Sequence, residues 1–89
     1  MDAEKVANVL NSRKAAVFAE KISVFGISKE LAEELKNLIN SVIDVEEFSG
    51  YAVVNGETLV FKKKNDRTIL AFVDDDKVMG SIRKLVELL

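Results

Sequence analysis

The sequence predicts a three-layer α/β/α sandwich of the α+β class, with a five-stranded antiparallel sheet and the element order α-β-β-α-β-β-β-α. Three observations predict this fold. Apolar residues recur at helical spacing in three segments of the chain. Two tight-turn signals, Asn55-Gly56 and Asn65-Asp66, separate strand-like segments. The strands Leu59–Phe61 and Ile69–Val73 are apolar on consecutive residues, which point to opposite faces, so helices should cover both faces of the sheet.

Two helices are predicted in the first half of the chain. Asp2 can cap a helix over Asp2–Leu10, and Ser28 can cap one over Ser28–Ile43, because their side-chain oxygens can accept a hydrogen bond from the first helical turn. The apolar residues of the second helix cover an arc of roughly 140° around its axis. They are Leu31, Ala32, Leu35, Leu38, Ile39, Val42 and Ile43.

The segment Arg13–Phe25, between these helices, admits two structures. It is either a hairpin of two strands, Ala15–Ala19 and Ile22–Phe25, or an extension of the first helix. Its β-branched and aromatic residues favour strands. The pair Glu20-Lys21, however, suits a two-residue turn poorly, because neither residue favours a positive φ. The hairpin is the prediction and the helix is the alternative.

Three strands in an antiparallel meander are predicted next. Asn55-Gly56 is the strongest short hairpin signal, and both residues of Asn65-Asp66 tolerate a left-handed backbone. The strands are Glu47–Val54, Glu57–Lys63 and Arg67–Val73. A final helix is predicted over Asp74–Leu89. We interpret the three acids at its start as a cap and a complement to the helix dipole rather than as a metal site.

The composition excludes several classes of function. The chain has 89 residues, enough for a single domain over residues 1–89 with its own core. It has no cysteine and no histidine, which removes disulfides, thiolate zinc sites and the commonest general base. Its 13 basic and 15 acidic residues give a net charge of −2, so nothing attracts it generally to nucleic acid. With no catalytic motif and no cofactor or nucleotide-binding motif, we expect a protein that is not an enzyme.

Two further observations concern location and charge. No apolar run approaches the roughly 20 residues that a membrane-spanning helix needs, and we expect a cytoplasmic protein. The basic run Lys62-Lys63-Lys64 is predicted to be a solvated hairpin tip. A nucleic-acid site would be accompanied by aromatic or glycine-rich neighbours and a basic field, and this chain is acidic overall.

The last strand and helix carry a motif. Asp74, Gly80 and Arg83 follow the strand at a D-x5-G-x2-R spacing. A glycine inside a helix costs about 1 kcal/mol relative to alanine, so it usually marks a position of close packing. Together with the element order, this motif resembles the end of the roadblock family, the dynein light-chain type of small-GTPase partner.

The resemblance extends over nearly the whole chain and implies a profilin-like, roadblock-like fold. The first hairpin of the family is matched by KAAVFAEKISVFG, the long second helix by SKELAEELKNLINSVI, and the final strand and helix by ILAFVDDDKVMGSIR. Two positions depart from the family pattern. The first hairpin turn lacks a glycine, and Val78 stands where the family often has asparagine.

The resemblance also implies self-association. Roadblock domains usually form dimers through the second helix and the strand after it, which here is Glu47–Val54. A small alanine among larger aliphatic residues would let two such helices approach closely. The alternative is that the whole apolar arc of the helix packs on its own sheet. The expected dimer interface consists of Ala32, Ile39, Ile43, Phe48, Tyr51 and Val53.

The expected function follows from that dimer. The resemblance implies a homodimeric adaptor or regulator that binds a small Ras-like GTPase through its dimer surface. One alternative is a structural assembly subunit without a GTPase partner. A second is a winged-helix-like DNA-binding module, which requires Arg13–Phe25 to be helical. Its recognition helix would carry Glu30, Glu33 and Glu34 against only two lysines, which disfavours contact with phosphates.

Overall fold

The computed structural model describes all of residues 1–89 and confirms the predicted sandwich. All five strands form one antiparallel sheet in the order β2-β1-β5-β4-β3, so β2 and β3 are its two open edges. None of the helices is long and apolar enough to cross a membrane. The elements are α1 (Ala3–Leu10), β1 (Lys14–Phe18), β2 (Ile22–Phe25), α2 (Lys29–Val42), β3 (Glu47–Val54), β4 (Glu57–Lys64), β5 (Arg67–Val73) and α3 (Val78–Leu88).

The first two helices begin at the predicted caps. A carboxylate oxygen of Asp2 accepts a hydrogen bond from the Lys5 amide at 2.9 Å, and the Ser28 hydroxyl accepts one from the Leu31 amide at 3.1 Å. Each bond satisfies an amide that the first helical turn leaves without a partner. Both caps therefore confirm where the sequence placed the helix starts.

The third helix begins differently from the prediction. Asp75–Lys77 form a short 3-10 turn, α3 starts only at Val78, and Asp74 makes no capping hydrogen bond. The Asp75 carboxylate instead accepts a hydrogen bond from the Thr58 hydroxyl of β4. The capping interpretation was therefore wrong, because this acidic run attaches the start of the helix to the sheet.

Residues 13–25 form the predicted hairpin. Phe18 pairs with Ile22, which leaves Ala19, Glu20 and Lys21 in a three-residue loop, and none of the three has a positive φ. The longer loop removes the need for a Glu-Lys two-residue turn. A winged-helix arrangement requires a helix in this segment, so the hairpin excludes that alternative.

Gly26 ends this hairpin under a strict steric constraint. Its φ is +74°, and a Cβ at this position would lie 1.8 Å from the Arg13 carbonyl oxygen. The chain can therefore turn from β2 towards α2 past the start of β1 only with glycine at this position.

The meander of β3, β4 and β5 matches its turn signals. Asn55 and Gly56 have φ values of 51° and 79°, and Asn65 has 57°, so the two turns use the left-handed backbone that these residues tolerate. Within the meander, the only change in strand bounds is that β4 continues to Lys64. In the first hairpin, β1 is Lys14–Phe18 instead of the predicted Ala15–Ala19.

Helices cover both faces of the sheet. α1 and α3 pack on one face against residues that include Val60 and Ile69, and α2 packs on the other against residues that include Leu59 and Leu70. These four residues are completely buried. The two central strands, β4 and β5, are therefore apolar on consecutive residues because each lies between two helical layers.

The apolar arc of α2 divides into a buried part and an exposed part. Ala32, Leu35 and Ile39 are buried against the sheet, and Ile43 is half-buried beside the same core. Ala32 and Ile39 were predicted on the edge of the helix that meets a second subunit. That placement was wrong, because both side chains pack inside their own chain. The exposed residues of the arc are Leu31, Leu38 and Val42.

Ile39→Ala should lower the free energy of unfolding by about 2–4 kcal/mol, because it leaves a cavity between α2 and the sheet. Val42→Ala, one turn away on the exposed part of the arc, is the matched control and should change stability far less. Urea unfolding at one fixed low protein concentration measures the change in the free energy of unfolding for both variants. Equal effects for the two variants would contradict the division of the arc.

Candidate interaction surface

β3 is an edge strand with unpaired backbone groups along its outer side. The two-residue turn at Asn55-Gly56 makes Val54 and Glu57 a hydrogen-bonded pair, and such pairs alternate along an antiparallel ladder. The Asn65 amide donates to the Glu46 carbonyl oxygen at 2.6 Å, which continues the same alternation. Even-numbered residues of β3 therefore bond to β4. The residues whose N–H and C=O groups point outwards are Glu47, Ser49, Tyr51 and Val53.

Exposed apolar side chains of α2 lie on the side of the helix that faces β3. The Lys36 ammonium lies 5.0 Å from the centre of the Phe18 ring on β1, so that flank of α2 faces the β2 side of the sheet. Leu31, Leu38 and Val42 lie about 120–160° around the helix from Lys36. They consequently face the β3 side.

Phe48 lies on the same face of the sheet as α2, on β3 itself. Its ring stacks on the Phe61 ring, with centroids 5.9 Å apart and an interplanar angle of 25°. A Cβ on Gly50 would lie 2.8 Å from the Phe48 ring, so glycine allows the ring to lie flat across the strand. Leu31, Leu38, Val42 and Phe48 together are called the α2-side strip below.

A second apolar strip lies on the opposite face of the sheet. The Lys84 ammonium donates to the Val9 carbonyl oxygen of α1 at 3.4 Å, so that flank of α3 faces α1. Met79 and Val86 lie on the other flank and face β3. Tyr51 and Val53 point to the same face, since they pair with Val60 and Thr58 on that side of β4. Tyr51, Val53, Met79 and Val86 form the α3-side strip.

These two strips account for most of the strongly exposed apolar surface. Apart from Met1, every large hydrophobic side chain that is at least 47% exposed lies in one of the strips or in the loop before β3. Single exposed apolar residues are normal, whereas a contiguous set is typical of an interaction site. The residues above this exposure lie on the two opposite faces of the sheet and in the loop before β3, and are Leu38, Val42, Val45, Tyr51, Val53, Met79 and Val86.

The motif residues of the last helix have no packing role. A Cβ on Gly80 would meet no atom within 4 Å, so the prediction that this glycine marks close packing was wrong. Asp74 is exposed and forms an ion pair only with Lys77, at 3.9 Å. Arg83 is exposed and forms no ion pair. The fold itself therefore explains neither Gly80 nor Arg83.

The basic run is not simply a solvated tip. Lys62 is only 6% exposed, and its ammonium lies 3.8 Å from the Glu47 carboxylate on β3. Lys62 thus covers part of the sheet with its aliphatic chain and reaches the edge with its charge. Only Lys64, at the end of the strand, is exposed as predicted.

A polar cleft lies at the other end of the sheet, with a volume of about 810 Å³. Its lining contains both basic and acidic side chains, so their charges largely cancel. The Lys14 ammonium, for example, pairs with the Glu57 carboxylate at 3.0 Å. No group of three or more histidine, cysteine, aspartate or glutamate residues comes together that could hold a metal ion.

Comparison with known proteins gives one relative of full length. An uncharacterized protein of Archaeoglobus fulgidus is 35% identical over 89 residues, covering 100% of this chain and 97% of the relative. The chain belongs to the same family as that protein. No protein-family model and no solved structure matches the chain.

Gly80→Ala should raise the free energy of unfolding by about 0.5–1 kcal/mol, because alanine favours helix and its Cβ meets no neighbour here. Thermal and urea unfolding measure the change. Gly26→Ala is the contrasting variant and should be severely destabilised by its clash with the Arg13 carbonyl. A loss of stability in Gly80→Ala would mean that this glycine has a packing role after all.

Proposed function

We propose that this chain is a homodimeric interaction module of the roadblock type, an adaptor that binds a small Ras-like GTPase on its dimer surface and catalyses no reaction itself. The observation that carries the proposal is that the edge of β3 is unpaired and bordered by apolar side chains. β3 is an open edge strand, and exposed apolar side chains border it on both faces of the sheet. The observed element order is also the one that the roadblock resemblance requires.

The proposed dimer pairs β3 with the β3 of a second copy. The outward N–H and C=O groups of Ser49, Tyr51 and Val53 supply the hydrogen bonds, and the two sheets join into one. A two-fold axis through the middle of β3 would make the interface self-complementary, because the same residues of each copy contact those of the other. The strand contains neither proline nor lysine, the residues that commonly prevent such pairing at an open edge.

The α2-side strips of the two copies supply the apolar part of the interface. Leu38 and Val42 are 48% and 68% exposed in the single chain. The Phe48 ring on β3 stacks on Phe61 of the core that α2 covers. A second copy would remove these side chains from water, which favours association in proportion to the apolar area buried. The interface expected from the sequence contained Ala32 and Ile39. The proposed interface contains Leu38 and Val42 in their place.

The GTPase part of the proposal rests on the resemblance and on the surface that the dimer would create. The outer face of α2 carries the exposed polar residues Glu33, Glu34, Asn37 and Asn40. Two such helices side by side would form a polar platform with an apolar seam. A GTPase bound there would be regulated by a shift between its switch conformations.

Ser49→Pro should convert the dimer into a monomer while preserving the fold. The Ser49 amide points away from β4, so proline removes no internal ladder bond but blocks pairing with a second β3. Light scattering over a dilution series measures the mass, and circular dichroism checks the fold. Ser49→Ala, which keeps the amide, should remain dimeric.

Val42→Glu tests the helix half of the same interface and should also weaken the dimer. Asn40→Glu adds the same charge on the outer face of α2 and should leave the mass unchanged. A wild-type mass that stays at 9.9 kDa through the whole series would overturn the proposed dimer.

Binding to a GTPase is tested by titration calorimetry with the Ras-like GTPases encoded by the same genome. Each is loaded with GDP or with a non-hydrolysable GTP analogue. We expect one nucleotide state to bind at least about tenfold more tightly, since regulation requires a difference in affinity between states. The monomeric Ser49→Pro variant should bind weakly. A stable dimer that binds no GTPase in either state would instead favour a structural assembly subunit.

A further inference from the structure

The α3-side strip lies directly beside the junction of the two β3 strands in the proposed dimer. Tyr51 and Val53 stand on β3 itself, on the face that α3 covers, and they are 58% and 67% exposed in the single chain. Met79 and Val86 border them on the flank of α3 that faces β3. Stable interfaces bury about 1,200–2,000 Å² in total, and one pair of edge strands supplies only part of that area. Side chains beside the junction therefore have to supply the rest.

The outward backbone groups of β3 select one register for this junction. They belong to Glu47, Ser49, Tyr51 and Val53, a set whose centre is Gly50. All four residues bond to the second copy only when Gly50 lies opposite Gly50 of that copy. A shift of two residues would place one end of the set against a residue outside β3, and a shift of one would place outward groups against inward ones. The two-fold axis of the dimer therefore passes beside Gly50.

The same axis lies level with the middle of α3. Hydrogen bonds attach this segment to both ends of β4. At the start, the Thr58 hydroxyl donates to the Asp75 carboxylate, and at the end the Lys64 ammonium donates to the Leu89 carbonyl oxygen at 3.3 Å. The residue halfway between Asp75 and Leu89 is Ile82, which consequently lies near the middle of β4. Because the middle of β4 pairs with the middle of β3, Ile82 marks the level of the axis along the helix.

Met79 and Val86 lie on opposite sides of this level at nearly equal distances. Met79 precedes Ile82 by three residues and Val86 follows it by four, which is about 4.5 Å and about 6 Å along a helix. A two-fold axis through the junction makes the two α3 helices antiparallel. Met79 of each copy is therefore level with Val86 of the other to within about 1.5 Å.

The distance between the two helices suits direct contact. With strands about 4.8 Å apart, a helix above β4 would stand about 14 Å from its twin, and a helix above the gap between β4 and β3 about 10 Å. α3 lies over both strands, so its distance falls between these limits. Packed helices lie about 8–10 Å apart. A third helix has no room, whereas the long and flexible Met79 side chain can span what separates the two helices.

From this arrangement we infer that the α3 helices of the two copies pack against each other across the two-fold axis. Met79 of each copy contacts Val86 of the other, above the Tyr51 and Val53 side chains of both. The inference rests on the proposed dimer and deepens it, because the occupant of the α3-side strip is the same strip of the second copy. The four apolar side chains of each strip thereby form a small core within the interface.

Charge does not oppose this contact. The flank that carries Met79 and Val86 has no charged residue between them at the helix surface facing β3. Arg83 lies close to the axis on the outer side of α3, and Glu87 follows it one turn later. Residues with this spacing are neighbours on a helix surface, so their opposite charges offset each other. Both side chains are exposed and stay in water when the helices meet.

Cross-linking tests the contact directly, because the chain has no cysteine and an introduced one is its only thiol. Met79→Cys and Val86→Cys are unfolded together, refolded, and treated with a short bifunctional maleimide. The mixture should give at least about fivefold more covalent dimer than either variant alone, since identical positions lie about 9 Å or about 12 Å apart along the helices. A denaturing gel measures the yield.

Val86→Glu should raise the dissociation constant of the dimer at least about tenfold, because it places a charge in an apolar contact. Gly80→Glu adds the same charge to the outer side of the same helix, where a side chain meets no atom within 4 Å, and should leave the constant unchanged. Light scattering over a dilution series measures both, and circular dichroism checks that each variant folds.

Two results would overturn this inference while leaving the β3 junction intact. One is a wild-type dimer in which the mixed cysteine variants cross-link no better than the single ones. The other is a tetramer that Val86→Glu reduces to a dimer, since the strip would then lie between dimers. Equal dissociation constants for Val86→Glu and Gly80→Glu would also contradict the helix contact alone. A monomeric wild-type mass would overturn the proposed dimer and the helix contact together.

Discussion

The burial of β4 and β5 between two helical layers is the constraint on which the rest of this structure depends. Leu59 and Val60, and likewise Ile69 and Leu70, are neighbours in sequence that point to opposite faces, and none of the four is exposed. Such strands require a helix on each side. α2 on one face, and α1 with α3 on the other, satisfy that requirement, and the sheet order places β5 in the middle of both layers.

The same constraint explains why apolar surface remains beside β3. Five strands span about 24 Å, whereas a helix covers about 10 Å of a sheet. The single helix α2 cannot cover one face, and α3 on the other face lies over β4 and part of β3 but leaves Tyr51 and Val53 exposed. Apolar flanks of both helices therefore remain exposed next to the one long edge strand. An exposed edge with apolar borders on both faces is better suited to a protein partner than to solvent.

Local physical chemistry made most of the fold predictable. The caps at Asp2 and Ser28 and the turns at Asn55-Gly56 and Asn65 act within a few residues, so the sequence identified them directly. The sequence-based prediction of a side chain's environment was wrong where that side chain had two possible partners. Asp75 bonds to Thr58 of a distant strand instead of capping α3, and Lys62 is buried against Glu47 instead of being solvated. Neither choice can be decided from spacing along the chain.

The sequence by itself determined the element order, the antiparallel meander, the helical arc of α2 and the absence of thiol and imidazole chemistry. Only the tertiary structure decided which part of that arc is covered. The answer depends on where the helix axis lies across the sheet, and this position buries Ala32 and Ile39 while it exposes Leu38 and Val42. It also showed that Gly80 and Arg83 face solvent rather than the core. A hydrophobic period gives the direction of a helix face relative to its own axis, whereas burial depends on what lies opposite that face.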